Sequence, residues 1–448
     1  MKTNVQSMDS TSDVAERDNG NARRGAGAAF VGTVLEYYDL FIYGTAAALV
    51  FGKLFFSNTT SPKVALILSF GAFASGYVAR PLGAVLFGHI GDRFGRRAAL
   101  LGTIWLMGSA TFLIGLLPTY AVAGALAPVL LVLLRLCQGL AIGGELGGAV
   151  LVSVEHAPEN KRGFYGSFST AGGPAGGLLA TVVFALVTQL PQEQFEAWGW
   201  RIPFLLSVVI LIVGLMIRSR LDETPDFEKG AAPKTKRKLP IQLAIKNHWQ
   251  TIFGLGCMLF GLLASWYIVT VYGLSYAVGT LGMDKSFYLW VVSAASLLVV
   301  LMNPVWGALS DRLGRRRLLT ASLVTLGLLM IVFIAALNSR SMPLISISML
   351  GFAGIGYAAV NGIWPAFLVS CLPPEVRYTA GSLGIQLAGI VTGFVPLAAV
   401  VLADTIFGIW GIGVLCLGAC LIGAFATYVM HRPPASAGYQ SRAVSSPD

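Results

Sequence analysis

Long apolar runs alternate with short charged segments along almost the whole chain. The runs at residues 98–117, 286–310 and 379–403 contain no charged residue. Each reaches the ~20 residues that an α-helix needs to cross a bilayer. Unbroken runs of this kind predict helices, because the strands of a membrane barrel alternate apolar and polar positions. The pattern therefore predicts an all-α membrane protein.

The same pattern, read along the whole chain, predicts twelve transmembrane helices. The predicted spans cover residues 26–51, 64–88, 98–117, 121–154, 165–189, 202–218, 249–279, 286–310, 318–337, 342–370, 379–402 and 405–430. Polar segments precede the first span and follow the last one. The first of these segments has no short apolar stretch before a cleavage site, so we interpret it as a tail rather than a signal peptide.

A duplicated loop divides the twelve spans into two equal sets. The loop after the second span reads GHIGDRFGRR (88–97), and the loop after the eighth reads GALSDRLGRRR (307–317). Both have the spacing Gly-x-x-x-Asp-Arg-x-Gly-Arg-Arg, which a simple excess of basic residues does not explain. The repeat predicts two pseudo-symmetric six-helix halves. The expected domains are a cytoplasmic tail 1–25, an N-terminal half 26–218, a cytoplasmic linker 219–248, a C-terminal half 249–430 and a cytoplasmic tail 431–448.

Composition excludes several other classes of protein. The chain is 55% hydrophobic and 12% charged, about half the charged share of an average soluble domain. Its five cysteines form no CxxC pair, and it has no hydrolase or ATP-binding motif, so we expect no metal, no other cofactor and no enzyme. The basic residues behind the formal charge of +10 are scattered over loops, which argues against a nucleic-acid partner.

The placement of lysine and arginine predicts the orientation in the membrane. Most of the 31 basic residues fall in the tails and the even-numbered loops. Basic residues accumulate on the cytoplasmic side of membrane proteins. We therefore expect a multi-pass protein of the plasma (inner) membrane with both termini in the cytoplasm. It would be a monomer in contact with the lipid bilayer.

Four stretches besides the repeat are similar to a known family. They read EYYDLFIYG (36–44), RPLGAVLFGHIGDRFGRR (80–97), RLCQGLAIGGELGGAVLVSVEHAP (135–158) and AWGWRIPFLL (197–206). Together with the repeat they resemble the major facilitator superfamily, and within it the metabolite:proton symporters, which carry organic acids such as shikimate, 2-oxoglutarate and citrate, or proline and betaine. The resemblance implies the major facilitator fold, twelve helices that give alternating access to a central site.

Five charged residues lie deep inside predicted spans. They are Glu36, Asp39, Arg80, Arg135 and Glu145. An unpaired charge there costs about 2.5–3.5 kcal/mol or more, so these side chains should face a polar cavity or one another. Counted along their helices, Asp39 and Arg135 lie near the same level of the bilayer, so an ion pair between them is feasible.

The resemblance implies a role for this pair. In similar sugar–proton symporters, the acid matched by Asp39 pairs with the arginine matched by Arg135 and carries the proton. Glu36, one turn earlier, is either a second acid of the site or a partner of Arg80. A static buried ion pair is the alternative. We expect Asp39, Glu36 and Arg135 to couple transport to protons, with a carboxylate substrate competing with Asp39 for Arg135.

Other polar residues of the spans are candidates for substrate binding or for a gate. The substrate-binding candidates are Arg135, Tyr43, Arg80, Tyr272, Tyr276, Asn361, Trp364 and Gln386, although the aromatic side chains among them are equally explained by packing. The candidates for a cytoplasmic gate are Asp92, Arg93, Gly95, Arg96, Glu145, Glu155, Asp311, Arg312 and Arg315.

The function that we predict is proton-coupled symport of a small organic acid into the cell. Two alternatives are open: an osmolyte:proton symporter for proline or betaine, and a facilitator or receptor without coupling. The short tail 431–448 has no heptad pattern, which disfavours the coiled-coil extension common in osmolyte carriers. The mid-membrane acids disfavour a passive facilitator, which has no need of a titratable group.

Overall fold

The structure is a computed structural model that describes residues 27, 30–56, 61–94, 96–144, 153–155, 157–219 and 240–430. At residues 92, 96, 97, 210, 217–219, 240–243 and 375 it describes the backbone alone. Within this part of the chain, twelve helices are long and apolar enough to cross a membrane, which confirms the predicted fold class.

The twelve membrane helices are labelled α1 to α12 here, and the short helices between them carry no label. Their bounds are α1 Phe30–Phe55, α2 Pro62–Gly91, α3 Ala98–Leu116, α4 Leu126–Gly144, α5 Glu159–Val187, α6 Gly199–Met216, α7 Ala244–Gly279, α8 Lys285–Leu313, α9 Arg315–Asn338, α10 Met342–Cys371, α11 Val376–Leu402 and α12 Gly408–Val429.

Most of these bounds lie within a few residues of the prediction, and α4 and α5 depart from it most. The fourth predicted span ran from 121 to 154, but α4 begins at Leu126 because a turn at Gly124, with φ +55°, separates it from a short preceding helix. Residues 145–152 lie outside the described part. The helix that contains α7 begins at Pro240 and is interrupted at His248, inside the segment expected to be a linker.

Irregular turns interrupt several of the membrane helices. Stretches of π-helix occur at Ala47–Phe51 in α1, Ile268–Tyr272 in α7 and Phe352–Tyr357 in α10. Such turns leave backbone groups less regularly paired and often occur at functional sites. Three prolines lie within or beside such helices, with Pro304 in α8, Pro365 in α10 and Pro396 after a break in α11.

Small residues allow the helices to pack backbone against backbone. In the N-terminal half (α1–α6), a Cβ added to Gly139 of α4 would lie only 2.0 Å from the carbonyl oxygen of Gly76 in α2. Between this half and the C-terminal half (α7–α12), a Cβ on Gly163 of α5 would lie 2.3 Å from the carbonyl oxygen of Gly307 in α8. Any side chain at these two positions would push the helices apart.

Candidate functional site

Asp39 of α1 is buried in the middle of the N-terminal half, with only 2% of its surface exposed. Its Oδ2 atom accepts a hydrogen bond of 2.9 Å from the hydroxyl of Thr111 in α3. Its Oδ1 atom is buried and has no hydrogen-bond partner among the described residues. The carboxyl group is thus held by one oxygen, and the other is available to a further donor.

Arg135 of α4 is equally buried, and aromatic rings enclose its guanidinium group. The group lies 4.4 Å from the ring centre of Tyr43 and 4.8 Å from that of Phe73. Its Nε atom donates to the backbone oxygen of Phe73 at 3.3 Å, and its Nη1 atom donates to Gln138 Oε1 at 3.0 Å. A Cβ at Gly76 would lie 2.7 Å from Nε, so the glycine makes room for this side chain.

Two neutral side chains connect the arginine to the acid. Gln138 accepts from Arg135 and donates through Nε2 to the hydroxyl of Thr111 at 2.7 Å. Thr111 in turn donates to Asp39. The expected direct ion pair is therefore absent among the described side chains of this conformation. A chain of three hydrogen bonds, Arg135–Gln138–Thr111–Asp39, takes its place, and we call it the relay.

Sequence reasoning missed Thr111 and Gln138, although one signal for Gln138 was available. Gln138 follows Arg135 by three residues, so both side chains lie on one face of α4. Thr111 is one of several hydroxyl residues in apolar spans, and its neighbours in the sequence do not distinguish it as a residue of the site. Most such hydroxyls bond to their own helix, as Thr111 itself does to the carbonyl of Met107 at 2.9 Å.

Arg80 lies on α2, at the interface between the two halves. Its guanidinium stacks on the ring of Tyr77, 3.9 Å from the ring centre. The hydroxyl of Tyr77 forms a hydrogen bond with the hydroxyl of Tyr267 in α7. The Nε atom of Arg80 is buried without a hydrogen-bond partner. Glu36, the other residue considered as its partner, is half-buried in α1.

The candidate residues of the C-terminal half fall into two groups. Asn361 is already engaged, because its amide donates to the backbone oxygen of Thr170 in α5 at 3.1 Å and its own backbone oxygen accepts from the Thr170 hydroxyl at 2.8 Å. Gln386 is buried in α11 and neither of its side-chain polar atoms has a partner among the described residues. Asn361 thus joins the halves, whereas Gln386 offers an unused donor and acceptor.

The aromatic candidates are buried or half-buried. Tyr272 and Tyr276 stack with ring centres 5.8 Å apart, and the Tyr272 hydroxyl has no partner among the described residues. The hydroxyl of Tyr43 is likewise buried and unpaired within that part of the chain. Trp364 is buried in α10. These residues surround the centre of the protein, but their contacts assign them no chemistry beyond packing.

The second copy of the repeated loop joins the two halves at the end that the basic residues predict to be cytoplasmic. Asp311, at the end of α8, accepts hydrogen bonds from the backbone amides of Gly163 at 2.9 Å and Phe164 at 3.1 Å, close to the start of α5. Arg315 donates to Asp311 at 2.7 Å and also reaches the backbone oxygen of Glu159 at 3.2 Å. Both residues are among the candidates for a cytoplasmic gate, and their contacts place them between the two halves.

The other gate candidates are placed as follows. Glu155, before α5, accepts from Arg377 of α11 at 2.7 Å, which adds a second contact between the halves. Arg93 and Arg312 are exposed. Gly95, Glu145 and the side chains of Asp92 and Arg96 lie outside the described residues.

Polar contacts also join the halves at their opposite end. Lys63 of α2 forms an ion pair with Asp404, which follows α11. Lys285 of α8 donates to Gln192, between α5 and α6, at 2.6 Å. Gln192 in turn donates to Glu196. Lys53 donates to the other carboxylate oxygen of Glu196 at 2.6 Å. Polar contacts thus join the halves at both ends in this conformation.

The fold and site define a class of membrane protein, a transporter built from two six-helix halves around a central polar site. Sequence comparison is consistent with this class. The model of the Sugar (and other) transporter family matches residues 26–239, and the model of the Major Facilitator Superfamily matches residues 255–445.

Curated relatives match nearly the whole chain. The shikimate transporter of Escherichia coli is 36% identical over 433 residues, which cover 94% of this chain and 99% of that protein. An inner membrane metabolite transport protein of the same organism is 37% identical and covers 90% of this chain and 93% of its own length. The proline/betaine transporter of Salmonella typhimurium is 33% identical over 88% of this chain and 80% of its own. The chain therefore belongs to the major facilitator superfamily of membrane transporters, within its sugar and metabolite transporter family.

Solved structures show the same fold. A D-xylose–proton symporter superposes with a TM-score of 0.68 over 90% of this chain and 97% of its own, at 18% sequence identity. An inward open conformation of a xylose transporter of Escherichia coli gives a TM-score of 0.65 at 17% identity, over 93% of this chain and 98% of its own. At such identities the likeness concerns the arrangement of the helices and not the substrate.

Proposed function

We propose that the chain is a multi-pass protein of the inner membrane that imports a small organic acid together with protons. The relay carries this proposal. It joins a buried carboxyl group to a buried guanidinium through neutral groups that donate and accept hydrogen bonds. A membrane protein without proton coupling has no use for a titratable acid buried at this depth, where charge is costly.

The Thr111 hydroxyl can serve both protonation states of Asp39. When Asp39 is ionised, the hydroxyl donates its proton to Asp39 and accepts from Gln138. When Asp39 is protonated, the carboxyl donates to Thr111, and the hydroxyl proton turns to the backbone oxygen of Met107, which lies 2.9 Å away. A hydroxyl has one proton and two lone pairs, so the relay stays satisfied in both states. Protonation therefore requires a rotation of one hydroxyl and no movement of a helix.

Charge balance provides the coupling to an anion. In the ionised state, Asp39 offsets the positive charge of Arg135 through the relay. Protonation removes that negative charge and leaves the buried Arg135 and the half-buried Arg80 as cations near the interface between the halves. An anionic substrate then restores neutrality, and the pair of proton and anion moves through the protein together. Alternating access follows from opening the cytoplasmic contacts at Asp311 and the opposite contacts at Lys63 in turn.

The relatives support both the class of substrate and the membrane. One is a shikimate transporter, which accords with an organic acid, and another is an inner membrane metabolite transport protein, which accords with a place in the inner membrane. A symporter of proline or betaine is the second candidate, because the proline/betaine transporter matches at similar identity. The two candidates differ in net substrate charge, so uptake assays with matched anionic and zwitterionic compounds separate them.

Gradient-driven uptake into proteoliposomes tests the proposal. The wild-type protein should accumulate a radiolabelled acid such as shikimate when the outside is acidic, and a protonophore should abolish the accumulation. Asp39→Asn should exchange labelled for unlabelled substrate but should not accumulate it. Asp284→Asn is the matched control. Asp284 precedes α8 and caps it by accepting a hydrogen bond from the backbone amide of Phe287, and an asparagine side chain can accept the same bond. Normal accumulation by Asp39→Asn would refute the coupling role.

A further inference from the structure

Arg135 has little capacity left for a substrate. Its side chain is 1% exposed, two rings enclose it, and it already donates to Phe73 and Gln138. A carboxylate would need the planar edge of a guanidinium for two parallel hydrogen bonds. Reaching that edge would require the relay to break and the ring of Tyr43 or Phe73 to move. The competition between substrate and Asp39 for Arg135, expected from the sequence, thus has no room in this arrangement.

Arg80 differs from Arg135 in each of these respects. One face of its guanidinium rests on Tyr77, and its Nε is buried without a hydrogen-bond partner. Its Nη1 atom points across the interface towards α11, where it lies 3.4 Å from the place that a Cβ of Gly389 would occupy. Because Gly389 has no side chain, α11 places none against the charged group at this position, and a single Cβ there would meet only ordinary contacts. A substrate can reach the guanidinium from this side when the halves separate.

The facing side of α11 carries unused polar groups. Gln386 is 9% exposed, and both of its amide atoms lack a partner within the described part of the chain. Its Oε1 atom lies 3.9 Å from the same Cβ position of Gly389. Ser382 lies one turn before Gln386 on the same side, and its hydroxyl is also buried and unpaired among the described residues. Burying a polar group without a partner is costly, so a ligand that supplies partners to these groups gains affinity by removing that cost.

From these contacts we propose that Arg80 binds the carboxylate of the substrate and that Gln386 binds a hydroxyl group of the same molecule. The substrate class is therefore a small hydroxylated carboxylic acid. This inference rests on the proposed function and assigns its substrate site. A hydroxyl both donates and accepts, and so matches the free oxygen and nitrogen of an amide.

The site disfavours betaine, one of the two zwitterionic alternatives, for a physical reason. A quaternary ammonium group is bound by open aromatic faces, but the Tyr77 face is occupied by the Arg80 guanidinium. The ammonium would also lie close to that guanidinium, a like charge. Betaine has no hydrogen-bond donor and would leave Gln386 Oε1 unpaired.

The site also lies apart from the proton relay along the chain of rings on α2. Phe73, which contacts Arg135, packs against Tyr77, which contacts Arg80, with ring centres 5.4 Å apart and ring planes tilted by 56°. Substrate and proton would thus occupy neighbouring positions and interact through charge rather than through a shared arginine. This separation allows the two functions to be tested by different variants.

Equilibrium binding to the purified full-length protein tests the inference without depending on proton coupling. The probes are shikimate, cyclohexene carboxylate as the acid without hydroxyls, and glycine betaine. Arg80→Lys should weaken shikimate binding about tenfold, and Arg80→Gln by about 100-fold, since hydrogen bonds to charged groups contribute about 1.5–3 kcal/mol each. Gln386→Leu should weaken shikimate binding about tenfold and leave cyclohexene carboxylate binding unchanged.

Steric variants guard against misfolding of the charge variants. The Cβ added in Gly389→Ala meets only ordinary contacts, so this variant should be tolerated. Gly389→Leu places a large side chain against the Arg80 guanidinium and should abolish shikimate binding. Gly418→Leu is the matched control in a membrane helix, because nothing lies within 4 Å of a Cβ there.

Three results would overturn the inference. The first is a larger loss of shikimate affinity in Arg135→Lys than in Arg80→Lys, and the second is unchanged shikimate binding in Gly389→Leu. The third is that the wild-type protein binds betaine and does not bind shikimate. If Arg80 variants bind normally while Asp39→Asn still fails to accumulate substrate, this site is wrong and the proposed coupling stands. If Arg80 variants lose binding but Asp39→Asn accumulates substrate normally, the coupling is wrong and the site stands.

Discussion

The carboxylate of Asp311 accepts a hydrogen bond of 2.9 Å from the backbone amide of Gly163, on the opposite half of the protein. The first amides of a helix have no partner within the helix and carry about half a positive charge, so an anion placed there is stabilised. Arg315 holds the same carboxylate at 2.7 Å from its other side. One acidic residue of the repeated loop thereby joins a helix of each half.

Asp311→Asn should weaken this contact and open the cytoplasmic end more often. An amide can still accept one hydrogen bond, but it lacks the charge that the helix end and Arg315 both attract. We expect uptake to fall about tenfold, the effect of losing about 1.4 kcal/mol. Labelling of Cys371, buried at the cytoplasmic end of α10, should become faster in a protein whose other four cysteines are alanine.

The control for this experiment is Asp284→Asn, which makes the same substitution in a loop. Slower or unchanged labelling of Cys371 in Asp311→Asn would contradict the closing role. Asp92 occupies the equivalent position in the first copy of the loop, so Asp92→Asn and Gly95→Leu are predicted to lower turnover in the same way without altering substrate affinity.

Thr111→Val should uncouple substrate from protons while preserving the fold. Valine matches the shape of threonine but removes the hydroxyl that joins Gln138 to Asp39. Accumulation driven by a pH gradient should fall at least about tenfold, since a buried polar group left without its partner costs about 1–3 kcal/mol. Substrate exchange at equal pH should continue.

Thr111→Ser provides the matched comparison, because serine keeps the hydroxyl and should retain most of the accumulation. Equal accumulation by the valine and serine variants would show that the relay plays no part in coupling. The ratio of accumulation to exchange, measured in the same proteoliposomes, separates this effect from a general loss of stability.

Gly139→Ala should destabilise the protein and impair transport together. The added Cβ would lie 2.0 Å from the carbonyl oxygen of Gly76, so α2 and α4 would have to separate. Overpacking of this kind costs about 1–3 kcal/mol, which should lower the thermal midpoint by several degrees. Gly418→Ala, in open space on α12, should leave both properties unchanged. An unshifted midpoint in Gly139→Ala would contradict the close approach of these helices.

Glu196 should remain ionised over the pH range in which transport is measured. Partial burial works against its charge, but hydrogen bonds from Lys53 and Gln192 outweigh this and lower the pKa of Glu196 below its ordinary value. A lowered pKa stabilises the contact at every pH above the ordinary value of about 4.3, and the stabilisation is lost only as the pH falls through the lowered pKa.

Transport measured between about pH 5 and pH 7 should therefore owe none of its pH dependence to Glu196. Glu196→Gln should alter the rate by the same factor throughout that range, because it weakens the contact with Lys53 at all of these pH values. A profile that changes shape in the variant would show that Glu196 titrates during transport. Gln192→Ala, which removes a neutral neighbour, is the companion variant.

The sequence by itself determined the class of fold and the position of the charged residues along the helices. Twelve unbroken apolar runs suffice for this, because a bilayer leaves a chain only helices or closed barrels to satisfy its backbone, and barrel strands alternate apolar and polar positions. The repeated loop also made Asp311 and Arg315 candidates for a gate between the halves. Local spacing carries this information, so no tertiary contact was needed.

Only the tertiary structure decided which polar groups meet. Depth along a helix placed Asp39 and Arg135 at a similar level, but rotation about the helix axis and the small residues between helices set the distance between their side chains. These features bring Thr111 and Gln138 between them and enclose Arg135 in rings, while Gly389 places no side chain against Arg80. The partners come from three helices far apart in sequence, and contacts of that kind depend on packing, which the order of residues along one helix does not reveal.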